Sequence, residues 1–483
     1  MNRYTNFLRY IVLALTLTAL CQTTTRAAAP AEKPNILFIF ADDQCFDTLR
    51  SLGNDEIETP NLDRLVEGGV TFTSTYNMGS WSGAVCIASR GMLNTGRFVW
   101  KAQKVYGSAE KERQAGRFWS EYMKKAGYET YMTGKWHLRA DASKAFDHAV
   151  HIRPGMPNQT PAGYNRPIEG QPDPWKPWDT KFEGFWKGGK HWSEVVADDA
   201  TGFLDHAAKQ DKPFFMYLAF NAPHDPRQSP KEYVDKYPLD KIKVPESFVG
   251  EYPYKDDIAC GKKLRDEALA PFPRTEYAVK VNRQEYYAII THMDAQVGRI
   301  LDALDKTGKA DNTYVFFTAD HGLAVGHHGL MGKQNLFDHS VRVPLMVTGP
   351  GIPKGKKIGA RIYLQDVMPT TLELAGVEKP DHVQFKSVLP LIRGTRDGNY
   401  RAIYGAYLGV QRMVTEGDYK LILYPKIAKV LLYNVKQDPL ELKDLAADPR
   451  NGPLIKMLFA RLLQLQEETG DSLDLKETYA ELM

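Results

Sequence analysis

The sequence predicts an α/β protein in which a large first domain is followed by a smaller second one. A chain of 483 residues is longer than most single hydrophobic cores, so more than one compact unit is expected. Three continuous apolar runs, residues 35–40, 213–220 and 313–318, are typical of strands buried on both faces of a sheet. Predicted helices separate these runs, whereas residues 396–483 predict short paired strands and one packed helix.

The first apolar run ends directly at Asp42 and Asp43. Adjacent acids at the end of a buried strand are unfavourable unless a positive group neutralises them. Ligands bind at the carboxyl edge of α/β sheets, and carboxylate oxygens are what a hard divalent cation prefers. We therefore interpret Asp42 and Asp43 as metal ligands rather than as the start of a solvated loop.

The next segments lead to a cysteine. Residues 59–69 predict a helix that opens with Pro60 and ends at a glycine pair, followed by a strand at residues 70–73. Residues 76–85 predict a loop rich in glycine and serine that delivers Cys86. Trp81 in this loop is placed either to contact a substrate or to pack.

A helix at residues 117–125 and a strand at 130–132 precede Lys135 and His137, which should point to the same side of an extended segment. Residues 150–192 and 226–283 have poor periodicity and are predicted to be insertions. Long irregular segments within a compact domain are usually functional or disordered, and tryptophans argue against disorder. The tryptophans of the first insertion form either a sugar-stacking surface or its own small core: Trp175, Trp178, Trp186 and Trp192.

Two further apolar runs end in histidines. Residues 198–209 predict a helix before the strand 213–220, which is followed by His224, a candidate acid. Residues 286–304 predict an amphipathic helix before the third run, residues 313–318. That run ends at Asp320 and His321, which complete a metal-ligand set with Asp42 and Asp43.

The remaining elements are a strand at residues 343–347, a helix at 366–375, short strands at 413–415, 417–424 and 430–433, and a helix at 454–468. Between the third run and residue 343 lie Lys333 and three histidines, His327, His328 and His339. These histidines are expected to shape a substrate pocket, because they lack partner ligands for a second metal.

Residues 1–29 predict a secretory signal, so the protein is expected to be secreted or periplasmic. Cys21 leaves a lipoprotein open, although Leu20 stands where a small residue would be expected. The formal charge of +3 equals the contribution of Arg3, Arg9 and Arg26 in this leader. The remaining chain is near neutral, which excludes the global basic field of a nucleic-acid binder, and no segment of the mature chain is predicted to span a membrane.

Export leaves three cysteines, Cys45, Cys86 and Cys260, too few for a disulfide framework in so long a chain. Cys45 and Cys260 either pair or remain free thiols.

Residues 85–97 resemble the signature of the formylglycine-dependent (type I) sulfatases of the alkaline phosphatase superfamily. Cys86 is followed by Ser89-Arg90 and by a closing Thr-Gly-Arg, with Ala88 at the usual proline position. The segments around Lys135 and His137, Pro223-His224, Asp320-His321 and Lys333 match further family motifs. The resemblance runs from Pro34 to about Asp448, and among family members it is closest in character to bacterial carbohydrate sulfatases.

The resemblance implies an alkaline-phosphatase-like α/β/α sandwich with a mixed central sheet, plus a smaller C-terminal domain with an antiparallel sheet and a packed helix. It implies a catalytic domain at residues 33–395, with insertions at about 150–192 and 226–283, and an α+β subdomain at 396–483. It also implies that a maturation enzyme converts Cys86 to formylglycine (3-oxoalanine). One Ca²⁺ would be held by Asp42, Asp43, Asp320, His321 and the modified residue 86.

In the family's mechanism, Arg90 would steady the aldehyde hydrate and Lys135 and Lys333 would bind sulfate oxygens. His224 would protonate the leaving oxygen, and His137 would deprotonate the remaining hydroxyl so that sulfate is expelled. The expected function is hydrolysis of sulfate monoesters on a saccharide, either a polysaccharide or a glycosaminoglycan fragment. The alternatives are a phosphate or phosphonate monoester hydrolase of the same fold and a non-catalytic protein that binds sulfated glycans.

Overall fold

The computed structural model describes residues 33–158 and 160–483, and residues Pro34–Met483 form one compact unit. The predicted signal at residues 1–29, with Cys21, lies outside the described residues. Among the residues that are described, no helix combines the length and the apolar character that a membrane span requires.

The strands form two sheets, and in chain order they are β1 (Asn35–Ala41), β2 (Val70–Tyr76), β3 (Gly79–Ser80), β4 (Glu129–Lys135), β5 (His148–Arg153), β6 (Phe214–Ala219), β7 (Thr313–Ala319), β8 (Arg342–Thr348), β9 (Lys356–Ile358), β10 (Ile362–Tyr363), β11 (Ala402–Tyr407), β12 (Gln411–Glu416), β13 (Tyr419–Tyr424) and β14 (Lys429–Asn434).

The α-helices are α1 (Pro60–Gly68), α2 (Val85–Thr95), α3 (Val99–Tyr106), α4 (Ala109–Gln114), α5 (Trp119–Lys125), α6 (Ala142–Ala145), α7 (Trp192–Ala207), α8 (Lys231–Val234), α9 (Glu276–Lys306), α10 (Asp338–Val341), α11 (Val367–Leu374), α12 (Leu389–Ile392) and α13 (Gly452–Thr469).

The larger sheet is mixed, as expected. Its order in the described residues is β10-β2-β8-β7-β1-β6-β4-β5, with β9 paired to β2. Strand β1 is parallel to both β6 and β7, whereas β8 is antiparallel to β2 and β7. All seven residues of β1 are buried, which is the pattern of a central strand covered on both faces. Helices α1, α7 and α9 pack together in one layer, and α2, α5 and α11 pack together in another.

The smaller sheet has the order β14-β13-β12-β11-β3, and α13 packs against it. Its antiparallel character from β11 to β14 confirms the predicted fold of this region. The sequence reading missed β11 and also β3, which lies in the predicted loop 76–85 and pairs with β11 in parallel. Gly79 has φ +84°, and a Cβ there would lie 1.9 Å from the Ala406 carbonyl oxygen, so this pairing requires glycine.

Helix α9 begins ten residues before the predicted start at residue 286. Thr275 caps it by accepting a hydrogen bond from the Ala278 N–H at 3.1 Å. Residues 276–285 are mostly polar, so hydrophobic periodicity does not reveal this part of the helix. In the first insertion, Trp192 is 6% exposed and packs in the main hydrophobic core, whereas Trp175 is 2% exposed and packs against Phe182, with ring centroids 4.8 Å apart.

Candidate active site

The topology of the larger sheet brings the predicted site residues to one edge. Strand β1 lies between β6 and β7, and all three strands run in the same direction. Asp42 and Asp43 follow β1, His224 follows β6, and Asp320 follows β7, so these side chains meet beyond the carboxyl ends of the strands. Cys86 enters this edge in the first turn of α2.

Three carboxylates and the thiol form a compact cluster. One ligand atom from each of Asp42, Asp43, Cys86 and Asp320 lies within 4.8 Å of all the others. The Cys86 Sγ donates to Asp42 Oδ1 at 3.2 Å, and the Asp43 N–H donates to Asp320 Oδ1 at 3.1 Å. All four residues are at most 2% exposed. Converging buried carboxylates supply the oxygen ligands that a hard divalent cation requires, so the cluster fits such an ion.

Three basic side chains neutralise the acidic cluster. Lys135 Nζ donates to Asp42, and Lys333 Nζ donates to Asp43 at 2.5 Å and lies 3.3 Å from Cys86 Sγ. Arg90 Nε donates to Asp320 Oδ2 at 3.0 Å. We call these seven residues, three acids, three bases and Cys86, the charged cluster.

Burial and charge pull the pKa values of the charged cluster in opposite directions. Burial opposes ionisation of Asp42, yet Lys135 and other nearby cations hold the pKa of this carboxyl well below its ordinary value. Burial raises the pKa of Asp320 to about 6, with a further contribution from the Asp42 charge. Burial, together with the Asp320 and Asp42 carboxylates, raises the pKa of the Cys86 thiol well above its ordinary range. An unmodified Cys86 is therefore a poor source of thiolate in this environment.

The backbone is strained at two site positions. Asp43 has φ +69° and His137 has φ +58°, values that residues other than glycine rarely adopt. Strand β4 ends at Lys135, so the extended segment that was predicted to carry both Lys135 and His137 stops before His137. The His137 ring packs against Gly155, where a Cβ would lie 2.5 Å from the ring. Burial lowers the pKa of His137 to about 3, so this imidazole is neutral.

His224 is held between two carboxylates. Its Nδ1 lies 2.9 Å from Asp225 Oδ1, and its Nε2 lies 3.5 Å from Asp43 Oδ2. Asp225 is 4% exposed and was not singled out in the sequence. A carboxylate at Nδ1 fixes the orientation of the ring, which leaves Nε2 directed toward the charged cluster.

A cavity of about 280 Å³ opens onto this cluster. Its lining includes Cys86, His137, His224 and Lys333 from the predicted site, together with Gly83, Ala84, Gly155, Met156, Leu264, Arg265, Asp266 and Gln334. Arg265 and Asp266 belong to the second insertion, whose irregular sequence gave no signal for individual site residues. The concentration of charged residues at 262–267 is the one sequence feature that could have indicated Arg265 and Asp266.

Other candidates lie outside this lining. His321 is buried, and its Nδ1 lies 3.1 Å from the carbonyl oxygen of the adjacent Gly322. It does not belong to the compact group of ligand atoms from Asp42, Asp43, Cys86 and Asp320. Trp81 packs near Gly91 and lies 5.9 Å from the Tyr106 ring. The three predicted pocket histidines pack against one another instead: ring centroids are 5.2 Å apart for His327 and His339, and 5.5 Å apart for His328 and His339.

Cys45 and Cys260 are buried free thiols in the structure. Cys45 Sγ donates to the Leu323 carbonyl oxygen at 2.9 Å, and Cys260 Sγ donates to the Gln334 carbonyl oxygen at 3.0 Å. The sequence left open whether Cys45 and Cys260 form a disulfide or remain free thiols, and in the structure they are free thiols.

The chain is similar in sequence to proteins of a known family over most of its length. The family model described as "Sulfatase" matches residues 34–377, and a second model, "N-sulphoglucosamine sulphohydrolase, C-terminal", matches residues 326–468. An arylsulfatase of Clostridium perfringens is 30% identical over 459 residues, covering 86% of this chain and 90% of its own length. An N-acetylglucosamine-6-O-sulfatase of Bacteroides thetaiotaomicron is 26% identical, covering 97% of this chain and 92% of its own length.

A solved structure described as a complex with its substrate D-glucosamine-2-N,6-O-disulfate has a similar fold. It superposes with a TM-score of 0.70 at 22% identity and covers 91% of this chain and 99% of its own. At this level of identity the superposition supports the alkaline-phosphatase-like fold, which confirms the predicted fold class.

Proposed function

The chain belongs to the sulfatase family and is a sulfuric ester hydrolase, and we propose that its substrate is a sulfated saccharide, a polysaccharide or glycosaminoglycan fragment, outside the cytoplasm. The observation that carries the proposal is the position of Cys86. Its Sγ lies at the cavity, 3.2 Å from Asp42 and 3.3 Å from Lys333, so that a nucleophile at this position faces both acidic ligands and a positive charge.

We propose that a maturation enzyme oxidises Cys86 to formylglycine. The hydrated aldehyde would supply a hydroxyl nucleophile and a second hydroxyl from which the residue is regenerated. The raised pKa of the unmodified thiol supports this proposal, because a protonated thiol is a weak nucleophile. Arg90, fully buried and bonded to Asp320, lies in the same helix and would hold the modified side chain in place.

One Ca²⁺ is the proposed metal, with Asp42, Asp43 and Asp320 as carboxylate ligands and His321 as the fourth protein ligand. The ion would supply Lewis-acid stabilisation of negative charge on the nucleophile and on the sulfate. Lys135 and Lys333 bind Asp42 and Asp43 in the structure, and their ammonium groups would bind sulfate oxygens when the substrate enters. Three carboxylates around one position match the oxygen preference of calcium.

Two histidines are proposed to move protons. His224 directs Nε2 toward the charged cluster while Asp225 holds Nδ1, an arrangement suited to protonating the departing saccharide oxygen. His137 lines the same cavity with its ring held neutral by burial, and it would accept the proton of the remaining hydroxyl as sulfate leaves residue 86. The two histidines thus serve different steps because their environments differ.

The saccharide substrate is supported by relatives such as the N-acetylglucosamine-6-O-sulfatase and by the fold neighbour with a bound glucosamine disulfate. Export is supported by the predicted signal at residues 1–29. Gly155 and Met156 of the first insertion and residues 264–266 of the second line the cavity of about 280 Å³, so the saccharide would lie against both insertions.

The test is sulfate release from a panel of sulfated mono- and oligosaccharides, with the matching phosphate esters measured in parallel. The protein is co-produced with a formylglycine-forming enzyme. Release of sulfate from one sugar position at a kcat/KM far above that for the phosphate ester is the expected result. Faster phosphate release would favour the phosphomonoesterase alternative, and saccharide binding without release of either anion would favour the glycan-binding alternative.

A further inference from the structure

One segment of the second insertion forms a wall of the active-site cavity and continues beyond it. Leu264, Arg265 and Asp266 line the cavity of about 280 Å³ at Cys86. Lys262, Lys263 and Leu264 line a second, larger cavity of about 770 Å³. Because Leu264 lines both, the two cavities adjoin along this segment, residues 260–267, which we call the cationic segment.

Buried residues fix the cationic segment against the loop that carries Lys333. Cys260 Sγ donates to the Gln334 carbonyl oxygen at 3.0 Å, and Gln334 Nε2 donates to Asp266 Oδ2 at 2.7 Å. Glu267 accepts hydrogen bonds from the backbone N–H groups of Met331 and Gly332, both at 2.9 Å. The backbone of the segment is therefore held at a set distance from the proposed sulfate-binding lysine.

The exposed lysines of the cationic segment have no charge partner among the described residues. Lys262 and Lys263 are exposed, and neither makes an ion pair within the part of the chain that the structure describes. Lys255, across the same cavity, is in contrast paired with Glu251 at 2.9 Å and with Asp256. Lys255 carries one positive charge against the two carboxylates of Glu251 and Asp256, so the positive balance of this cavity depends on Lys262 and Lys263.

Arg265 lines the active-site cavity and follows Leu264, the residue that lines both cavities. Its guanidinium pairs with Asp266 at 2.5 Å and lies 3.6 Å from Asp225, and its side chain remains 40% exposed. A guanidinium held in place on one side and open on the other is suited to a further anionic partner. Three cations therefore follow one another from the mouth of the active site into the second cavity, in a protein whose net charge outside the leader is near zero.

We propose that the cationic segment binds a second anionic group of the saccharide, a sulfate ester or a uronate carboxylate, while the sulfate to be removed lies at Cys86. The inference rests on the proposed function and names its substrate class: a saccharide with at least two anionic groups. Unpaired lysines beside a cavity attract such a group and orient the sugar that carries it. A saccharide with one sulfate and no other anionic group has nothing to place against the segment.

Isothermal calorimetry of saccharide binding to the Cys86→Ala protein tests the role of the cationic segment in the absence of catalysis. Three probes are used: N-acetylglucosamine 6-sulfate, glucosamine-2-N,6-O-disulfate, and a chondroitin 6-sulfate disaccharide with one sulfate and one uronate. Adding Lys262→Ala and Lys263→Ala should weaken binding of a dianionic probe about threefold to tenfold at low salt and leave the monosulfate unchanged. Weakening for the disulfate alone assigns the second group as sulfate, and weakening for the disaccharide alone assigns it as carboxylate.

The matched control is Lys354→Ala with Lys357→Ala, which removes the same charge from two exposed lysines that line neither cavity. Equal effects of the two double variants, no effect of Lys262→Ala/Lys263→Ala, or no binding of either dianionic probe would overturn the inference. Sulfate release by the unsubstituted protein separates the two proposals. Release without a lysine effect rejects only the cationic segment, whereas a selective lysine effect on binding without any release rejects only the proposed hydrolysis.

Discussion

The charged cluster and a second buried set of charges differ in what surrounds them. In the second set, Lys420 Nζ lies 2.5 Å from Asp338 and 2.7 Å from Glu441, and all three side chains are at most 5% exposed. Glu441 also accepts the Asp338 N–H at 2.7 Å. We call these three residues the Lys420 network. It lines neither of the cavities at the active site, and it joins β13 of the smaller sheet to helix α10, which directly precedes β8.

The charged cluster, by contrast, has three acids and a thiol converging on one position and opens onto a cavity. Backbone strain does not separate the two sets, since Asp43 has φ +69° and Glu441 has φ +56°. Burial of charge therefore does not by itself identify a functional site. What distinguishes the charged cluster is convergence of three acids and access from a cavity, whereas the Lys420 network bonds elements of the fold to each other. Substitutions in the two regions should accordingly affect different properties.

The largest effect is expected for Cys86→Ala. Removal of the nucleophile should lower kcat/KM for a sulfate ester by roughly 10⁴-fold or more, while the unfolding midpoint stays close to that of the unsubstituted protein. Steady-state kinetics and urea unfolding measure the two effects. Cys45→Ala, at a buried thiol outside the charged cluster, is the control and should retain activity within about tenfold; comparable activity of the two variants would reject the nucleophile assignment.

Lys420→Met should act on stability instead. It leaves Asp338 and Glu441 buried without their cation, which should lower the free energy of unfolding by about 3–5 kcal/mol. At urea concentrations below its unfolding transition, the folded Lys420→Met variant should have the same KM as the parent protein. Lys426→Met, at a side chain 57% exposed and paired with Asp257, should change stability by less than about 0.5 kcal/mol. If both variants unfold at the same urea concentration, the Lys420 network has no structural role.

Lowering the pH should reduce the free energy of unfolding through His328, which lies beside the Lys420 network. Burial lowers the pKa of His328 from 6.5 to about 4, and its Nε2 donates to the Glu441 carbonyl oxygen at 3.1 Å. Between these pH values the unfolded chain binds a proton that the folded protein does not, so the free energy of unfolding falls as pH decreases. His328→Gln should remove up to about 3 kcal/mol of this pH dependence. The exposed His151→Gln is the control, and parallel pH curves for His328→Gln and the parent would contradict the assignment.

Calcium should stabilise the charged cluster and leave the Lys420 network unaffected. At a hundredfold excess over its Kd, a bound ion raises the free energy of unfolding by about 2.7 kcal/mol. Asp320→Asn should reduce this calcium-dependent gain, whereas Asp302→Asn, on the exposed side of α9, should not. Thermal unfolding with calcium and with a chelator gives the difference for each variant. An undiminished gain in Asp320→Asn would exclude Asp320 as a ligand.

Much of the larger sheet was predictable because its central strands are continuous apolar runs that end in acidic residues or histidine. The cluster at Asp42, Asp43 and Asp320 followed from the same pattern, since parallel neighbours end at one edge. Strand β3 was not predictable, because two residues without a hydrophobic pattern form a strand only through β11, more than 300 residues away in the chain. Arg265 and Asp225 were missed for a related reason: their contacts depend on the path of an irregular insertion.

The measurement that tests the account most directly relates activity to the chemical state of residue 86. Protein is prepared with different levels of a formylglycine-forming enzyme, and the fraction converted is read from the mass of the peptide that contains residue 86. Sulfate release per molecule should rise in proportion to the converted fraction and approach zero when Cys86 is unmodified. Activity that does not depend on the converted fraction would contradict the central claim that an oxidised Cys86, held in the charged cluster, is the nucleophile.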